Sequence, residues 1–508
     1  MPRRVAAIAI LLVVAGAAVG PIRSYDFFWH LATGRWIVAH RALPAFDPFT
    51  IAAAHVPWIN GEWLWEVVAH CIPIDAMSWV NAIFVGAMFA VAFWFSNLEW
   101  PAALIVTAFA FAGASDRLGI RPAEAAAFLI LGAIALLGSK LSLRGLTIAY
   151  AMLTIVWINV HPSALLAPLL AGVWAGFSRP FDRLKPVVTL ASALALLVNP
   201  FGWRAIAAPI QLTQLAQSGE FVNSEWLPST PSLFPLLYIT AAAVIVVFVI
   251  SKQKRESIWR LLIFGILAAL AIEHVRNQGL YFAALPLLFA PIRVPRYAAI
   301  IAIAPMAWVY AHADHATGID PERFPLRAVA QLQRSGLQGN IYNVDQFGGY
   351  LEWIFYPQRR VLTDGRNELF RQFIAEDARA RRDSRAWHAL LQKYRVALAV
   401  DEYQTDRIEV VDMATGERRY LPASLVRYRR RDWALIAFDD AAMIFARRTA
   451  FPPNVIDPIE YRYLVPDDPH IGYINDAVRN AARAEAARAR REIGDVNVVR
   501  ELERGLVH

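Results

Sequence analysis

Apolar residues come in long runs as far as about residue 312, after which the chain turns polar and rich in arginine. The first run covers Val5–Gly20. Ten more follow at roughly 78–96, 99–114, 122–139, 145–160, 162–177, 186–199, 232–251, 258–273, 278–291 and 296–312. Such runs predict helices that cross a bilayer, which takes about 20 apolar residues each. Several runs are shorter than that and call for tilt, thin bilayer regions or short buried helices. The pattern therefore predicts an α-helical polytopic membrane protein of about 11 transmembrane helices, over residues 1–315, followed by a C-terminal soluble α/β domain. An odd number of spans places the N-terminus and that domain on opposite sides of the membrane.

Charge supports the same parity. Lys140, Arg144, Arg179, Arg183, Lys185, Lys252, Lys254, Arg255, Arg260, Arg293 and Arg296 all fall in or beside one set of short loops, with only Glu99, Asp182 and Glu256 nearby. Short loops with excess Lys and Arg remain cytoplasmic. The formal net charge of +8 is thereby explained without nucleic acid as a partner. The run after Arg3 and Arg4 reads as an uncleaved first helix rather than a signal peptide, although Ala15-Gly16-Ala17 offers small residues for cleavage. Cys71 is the single cysteine, which excludes an internal disulfide and a cysteine-based metal cluster.

The opposite, outer set of helix ends carries different chemistry. The loop at 22–77 holds Asp26, His30, Arg35, Asp47, Glu62 and Glu66 among many aromatic residues. Asp116, Arg117, Arg121, His161, Glu225, Glu273, His274 and Arg276 fall at other ends on that side. Ionisable groups so near a bilayer are costly unless they pair or face a wet cavity, so their convergence predicts a site open to the outer leaflet. Each also has a plainer role. Asp26 suits a helix start, Arg117 and Arg121 suit pairs with Asp116 and Glu124, His161 suits a helix end, and Glu273 with Arg276 suits an intrahelical pair. Within the loop, Asp26–His40 has apolar positions at helical spacing and predicts an amphipathic surface helix. Trp58–Val68 predicts a second, on which Glu62 and Glu66 would share a face that is either solvated or turned to a ligand or metal.

An acid in the first outer loop, a second acid after the third helix and surface helices between the first two spans resemble the GT-C superfamily of membrane glycosyltransferases. These use polyprenyl-phosphate sugars, as do protein O-mannosyltransferases and lipid A aminoarabinose transferases. The stretches DFFWHLATGRWI, FDPFT, WINGEWLWE, WINVH, NPFG, EWLP, RNQGLYFAALPLL and GGYLEWIFYPQRRVLTDGR resemble most closely bacterial integral membrane relatives of those transferases, over most of residues 25–370. Asp26 matches the first-loop acid and Asp116 the second; the tandem acid of the mannosyltransferases is absent, because Tyr25 and Phe27 flank Asp26. The resemblance implies transfer of a sugar from a lipid-linked donor to a glycan, lipid or protein acceptor at the outer face of the bacterial cytoplasmic membrane. Asp26 would be the base and Asp116 a second acid, while Arg117, Arg121 and Arg276 would meet the phosphate. His161, Glu225, His274 and Glu62 would line the site. The one cofactor left open is a divalent cation, Mg or Mn, on Asp26 and Asp116. A transporter or flippase of lipid-linked saccharide, or a non-catalytic envelope scaffold, are the rival classes. Transport predicts internal repeats or broken helices near the midplane, whereas the sequence offers no convincing repeat and gathers its polar residues at one face.

After residue 320 the pattern shortens. Strands are expected at 339–344, 360–363, 395–400 and 433–438, with a helix starting near Gly349, giving an α/β domain over 320–450 on the outer side. Asp364-Gly365-Arg366 reads as a turn, and no phosphate-cradling glycine loop is present. Residues 451–508 form a tail with an Ala/Arg-rich helix near 476–493.

Overall fold

A computed structural model describes residues 3–217, 224–252, 254–404, 407–411, 415–469 and 476–506. The chain forms two compact units. One comprises Met1–Phe27, Thr33–Leu43 and Ile59–Gly318; the other comprises Phe28–Ala32, Pro44–Trp58 and Ile319–His508.

The first unit is helical, and its helices follow the apolar runs: Arg3–Ala18, Ile74–Phe95, Trp100–Ala114, Pro122–Leu137, Leu143–Val160, Leu166–Phe177, Pro186–Ala195, Pro235–Ile250, Lys254–Glu273, Gln278–Leu288 and Ile303–His312. Local chemistry sets their ends. Ser142 accepts a hydrogen bond from the Gly145 amide and caps Leu143–Val160. Proline opens Pro122–Leu137, Pro186–Ala195 and Pro235–Ile250, where its missing N–H costs nothing. Arg3 donates to the carbonyls of Phe93, Ser96 and Leu98, satisfying the exit of Ile74–Phe95. Phe89, Phe111, Ile130, Trp157 and Tyr281 lie in one buried core.

By length and composition, two of the described helices, Ile74–Phe95 and Leu143–Val160, can cross a membrane alone; Pro122–Leu137, Pro162–Phe177, Pro186–Ala195 and Pro235–Ile250 are apolar but shorter. The expected surface helix forms over Phe27–His40, but it is not amphipathic: Phe27 to Gly34 are buried on every side. Gly34 explains how this is achieved, since a methyl group there would run into the Glu66 carbonyl oxygen and lie 2.7 Å from its carbon. An additional helix at Arg204–Gln217, with Pro209 inside it, follows the NPFG turn.

The second unit holds a four-stranded sheet. Its strands come from β1 (Asn340–Asn343), β2 (Val396–Glu402), β3 (Arg407–Val411), β4 (Arg418–Pro422), β5 (Trp433–Phe438) and β6 (Ala442–Arg447). Sheet order is β1-β2-β6-β5, with β1 parallel to β2 and the other pairs antiparallel; β3 and β4 form a separate hairpin. β5 and β6 are nearly continuous apolar runs, as befits strands covered on both faces. The strand expected at 360–363 is only a point of attachment, where Val361 bridges Ile341 on one side and Thr50 on the other. Helix Asp345–Phe355 lies against it through Gly348. The Ala/Arg-rich stretch is helical over Asp476–Glu492, while 470–475 and 507–508 of the tail lie outside the described residues.

A methyl group at Gly348 would overlap the Thr363 carbonyl oxygen and lie 2.6 Å from Asp364 Cα. Backbone cannot yield as a flexible side chain can. Gly348→Ala is therefore expected to destabilise the second unit by about 1–3 kcal/mol, read as a lower unfolding midpoint of the full chain. An unchanged midpoint would show that the helix can move away from Thr363.

Candidate functional site

The polar ends of the helical unit converge on one guanidinium. Arg121 stands immediately before helix Pro122–Leu137 and donates from Nη1 to Glu225 Oε1 at 2.6 Å, while its Nε lies 3.6 Å from Glu124 Oε1. Glu124 in turn accepts from the backbone amides of Gly119 (3.1 Å) and Arg121 (2.9 Å), closing the turn that carries Arg121. Asp26 is a third carboxylate that acts on it. Burial alone would favour a neutral guanidine, but Glu124, Glu225 and Asp26 outweigh it and hold Arg121 protonated. For Glu225, burial pushes upward and loses to Arg121, Arg276 and Arg117, so its carboxyl is held below the usual range.

The Glu225 turn is anchored to the next helix end by backbone. Ser229 N–H donates to Ile272 O (2.9 Å) and Val275 N–H to Leu227 O (3.0 Å). This fixes Arg276, whose guanidinium lies 4.6 Å from the Trp226 ring centroid. Arg117 similarly lies 5.9 Å from the Phe234 ring, and its Cβ is 4.0 Å from where a methyl group on Gly279 would sit. Among the described residues neither Arg117 nor Arg276 has a carboxylate at salt-bridge distance, and the buried Nε of Arg117 lacks a hydrogen-bond partner.

His161, between Leu143–Val160 and the turn Pro162–Leu165, sits among these charges. The Ser163 amide donates to its Nδ1 (3.1 Å), so the neutral ring carries its proton on Nε2, 3.6 Å from Glu62 Oε1. Burial, then Arg276 and Arg121, depress its pKa to about 3. Trp63 Nε1 donates to Asn159 Oδ1 (2.9 Å), holding the Glu62 end of helix Trp63–His70 against that turn. His274 donates from Nδ1 to the Trp226 carbonyl (2.8 Å), and its Nε2 lies 3.8 Å from Glu273 Oε1.

The sequence-predicted residues thus divide. Asp26, Arg117, Arg121, His161, Glu225, Arg276 and Glu62 form one electrostatically linked group, and His274 packs edge-on against Trp226 beside it. Asp26 makes no capping hydrogen bond although it heads helix Phe27–His40. Asp116 is exposed in the turn Ser115–Arg117, where its charge acts on Arg117. Glu62 and Glu66 do not share a solvated face: Glu66 is fully buried and accepts from Asn60 Nδ2 at 2.6 Å. Among the described residues no three His, Cys, Asp or Glu side chains are grouped so as to hold a metal ion.

A second buried guanidinium lies in the other unit. Arg366 Nε donates to Asp364 Oδ1 and Oδ2 (2.9 and 3.0 Å) and Nη2 to Asp47 Oδ1 (3.0 Å), with Trp58 4.4 Å and Trp29 5.2 Å from its Cζ. Asp364, Asp47 and Glu352 outweigh burial and hold it charged. Burial, then Asp364, raise the Glu352 carboxyl well above its usual range, and Arg366 opposes that rise. The DGR segment is therefore a buried ion-pair centre as well as a turn. Its signal in the sequence was the arginine itself, flanked by apolar segments, together with the acid of FDPFT.

No protein-family model matches the chain, and no curated protein sequence does. Solved structures do match. An archaeal oligosaccharyltransferase, AglB of Archaeoglobus fulgidus, in complex with an inhibitory peptide and a dolichol-phosphate, aligns with TM-score 0.57 and 12% identity, over 82% of this chain and 74% of that one. The two chains share a fold. The Archaeoglobus fulgidus enzyme tethered to an acceptor peptide containing the NVT sequon gives 0.55 and 11% over the same shares. Its complex with Zn and sulfate gives 0.52 and 13%, over 82% and 73%. At such identities the likeness is one of fold, and it agrees with the GT-C resemblance at that level.

The neutral state of His161 has a consequence for stability. Unfolded, an imidazole titrates near pH 6.5; folded, this one resists protonation down to about 3. Between those values the unfolded state binds the extra proton, so stability falls as pH falls through that window, by up to about 1.4 kcal/mol per unit. Melting of the detergent-solubilised protein from pH 7 to pH 5 should show a shallower fall for His161→Gln than for the parent. Equal slopes would mean that His161 charges freely in the folded protein.

Proposed function

We propose that this protein transfers a saccharide from a polyprenyl-phosphate donor to an acceptor hydroxyl or amide at the outer face of a bacterial cytoplasmic membrane. In this reading the short apolar helices cross the bilayer with the two long ones, giving about eleven spans, and the sheet unit is extracytoplasmic. The carrying observation is the pair of arginines, Arg117 and Arg276, held on aromatic rings with no carboxylate partner among the described residues, in the group that includes Asp26. A guanidinium fork matches two phosphate oxygens. Support from the fold comes from the solved neighbours, one of which binds a dolichol-phosphate and another an acceptor peptide.

The proposed division of labour follows from the pairings. Asp26 takes the proton of the attacking acceptor. The bond between sugar C1 and the phosphate oxygen breaks, and its electron pair leaves on the lipid phosphate. Arg117 and Arg276 meet the charge that develops there. Arg121 is already engaged by Glu225 and Glu124, so it serves as a positioning residue, holding the Glu225 turn and through it Arg276. His161, neutral and donating towards Glu62, offers a hydrogen bond without adding charge. The reaction as written routes no step through a metal ion.

Transfer measured with the full chain in proteoliposomes and a panel of polyprenyl-phosphate sugars tests the proposal. Asp26→Asn should lower the rate by about 10²–10⁴-fold, the usual worth of a positioned base. Arg276→Gln should mainly raise the donor concentration needed for half-maximal rate. Full activity of Asp26→Asn would remove it as the base.

A further inference from the structure

The helices that carry the candidate site at one end carry a second polar feature at the other. Pro122–Leu137 begins beside Arg121; at 1.5 Å per residue its 16 residues end about 24 Å away. There a cavity of about 230 Å³ opens, ample when one water needs roughly 10–15 Å³ of such space. One wall is polar, with Asn97, Ser139, Lys140 and Arg260; the other is apolar and includes Phe95 and Leu287.

Arg260 is half-buried at this end of the helices. Its guanidinium lies 4.3 Å from the Trp259 ring centroid. With its amide oxygen turned inwards, Asn97 accepts from Arg260 Nη2 at 2.8 Å and Nε at 3.0 Å. Gly138 makes room, since a methyl group there would lie 3.1 Å from Nη2. One edge of the guanidinium is thereby fixed by a neutral partner. Among the described residues neither Arg260 nor Lys140 has a carboxylate at salt-bridge distance; the side chains of residues 253–256 lie outside them. Arg260 is half-buried and Lys140 exposed, and a pocket beside two cations that no described carboxylate neutralises is suited to an anion.

We propose that this cavity binds a phosphate ester of net negative charge, remote from the candidate transfer site. Arg260 and Lys140 meet the phosphate oxygens, Ser139 adds a hydroxyl, and the Phe95–Leu287 wall covers the carbon portion. An acidic phospholipid headgroup and a small soluble phosphate ester share this chemistry. The inference stands apart from the transferase reading, since it requires neither Asp26 nor any turnover.

The test uses the full chain in detergent, titrated separately with dioleoyl-phosphatidylglycerol, dioleoyl-phosphatidylcholine and glycerol 1-phosphate, with the unfolding midpoint and native mass spectrometry as readouts. One phosphatidylglycerol should be retained and should raise the midpoint where phosphatidylcholine does not. Lys140→Gln changes an exposed residue in a turn and leaves the helices intact; it should weaken half-saturation about tenfold, as expected for loss of one charge-assisted hydrogen bond. Arg260→Gln should abolish the response, and Arg117→Gln should leave it unaltered. Stabilisation by glycerol 1-phosphate that Lys140→Gln weakens identifies a soluble ester, and its absence identifies the lipid headgroup. Equal half-saturation for the parent and Lys140→Gln with both anionic probes overturns the proposal, whether or not Arg260→Gln folds.

Discussion

Withdrawing a guanidinium from water is costly unless acceptors or an anion meet it, and in each unit of this chain carboxylates gather around one such arginine. In the helical unit Arg121 is met by Glu225 and Glu124, and meeting it requires the start of Pro122–Leu137 and the turn Ser224–Trp226 to come together. That turn is bonded through backbone to the end of Lys254–Glu273, which sets Arg276 on Trp226. In the sheet unit Arg366 is met by Asp364 and Asp47, with Glu352 beside them raised by burial and by Asp364. Removing one member of such a pair leaves the other as an uncompensated charge, so the pairings constrain the loops more tightly than apolar contact does.

The constraint also separates structural arginines from available ones. Arg121 is used up internally, whereas Arg117 and Arg276 are oriented by aromatic faces, which fix a guanidinium without neutralising it. A cation prepared in that way is suited to an anion from outside the protein. Burial, with Arg276 and Arg121 behind it, keeps His161 neutral, while the arginines overcome burial to keep Glu225 charged. A lipid-linked phosphate donor fits this field and the apolar surroundings together, and such a donor needs no glycine-rich nucleotide loop.

The helices were legible because apolar runs and their proline or serine starts are local signals. The surface-helix reading of Phe27–His40 failed because periodicity reports apolar positions and cannot report that Gly34 lets a second backbone cover the polar side. Glu62 and Glu66 have the spacing of neighbours on one face, yet Asn60 turns back and claims Glu66. The group around Asp26 was visible as a set of polar helix ends, but the pairing of Arg121 with Glu225, 104 residues apart, was not. Asp47 and Arg366 are separated by 319 residues, and local spacing alone gives no sign that they meet. β6, the hairpin and the reduction of 360–363 to isolated bridges depend on strand pairing, which is likewise non-local.

The central claim is that the Arg117–Arg276 group receives a lipid phosphate. Photo-crosslinking with a polyprenyl phosphate bearing a reactive group beside the phosphate tests it most directly, with the modified peptides mapped by mass spectrometry. Labelling is expected around residues 115–121, 224–229 and 274–279, competed by unlabelled polyprenyl phosphate and lost in Arg276→Gln. Competed labelling that avoids all three segments, or that survives unchanged in Arg276→Gln and Arg117→Gln, would contradict it.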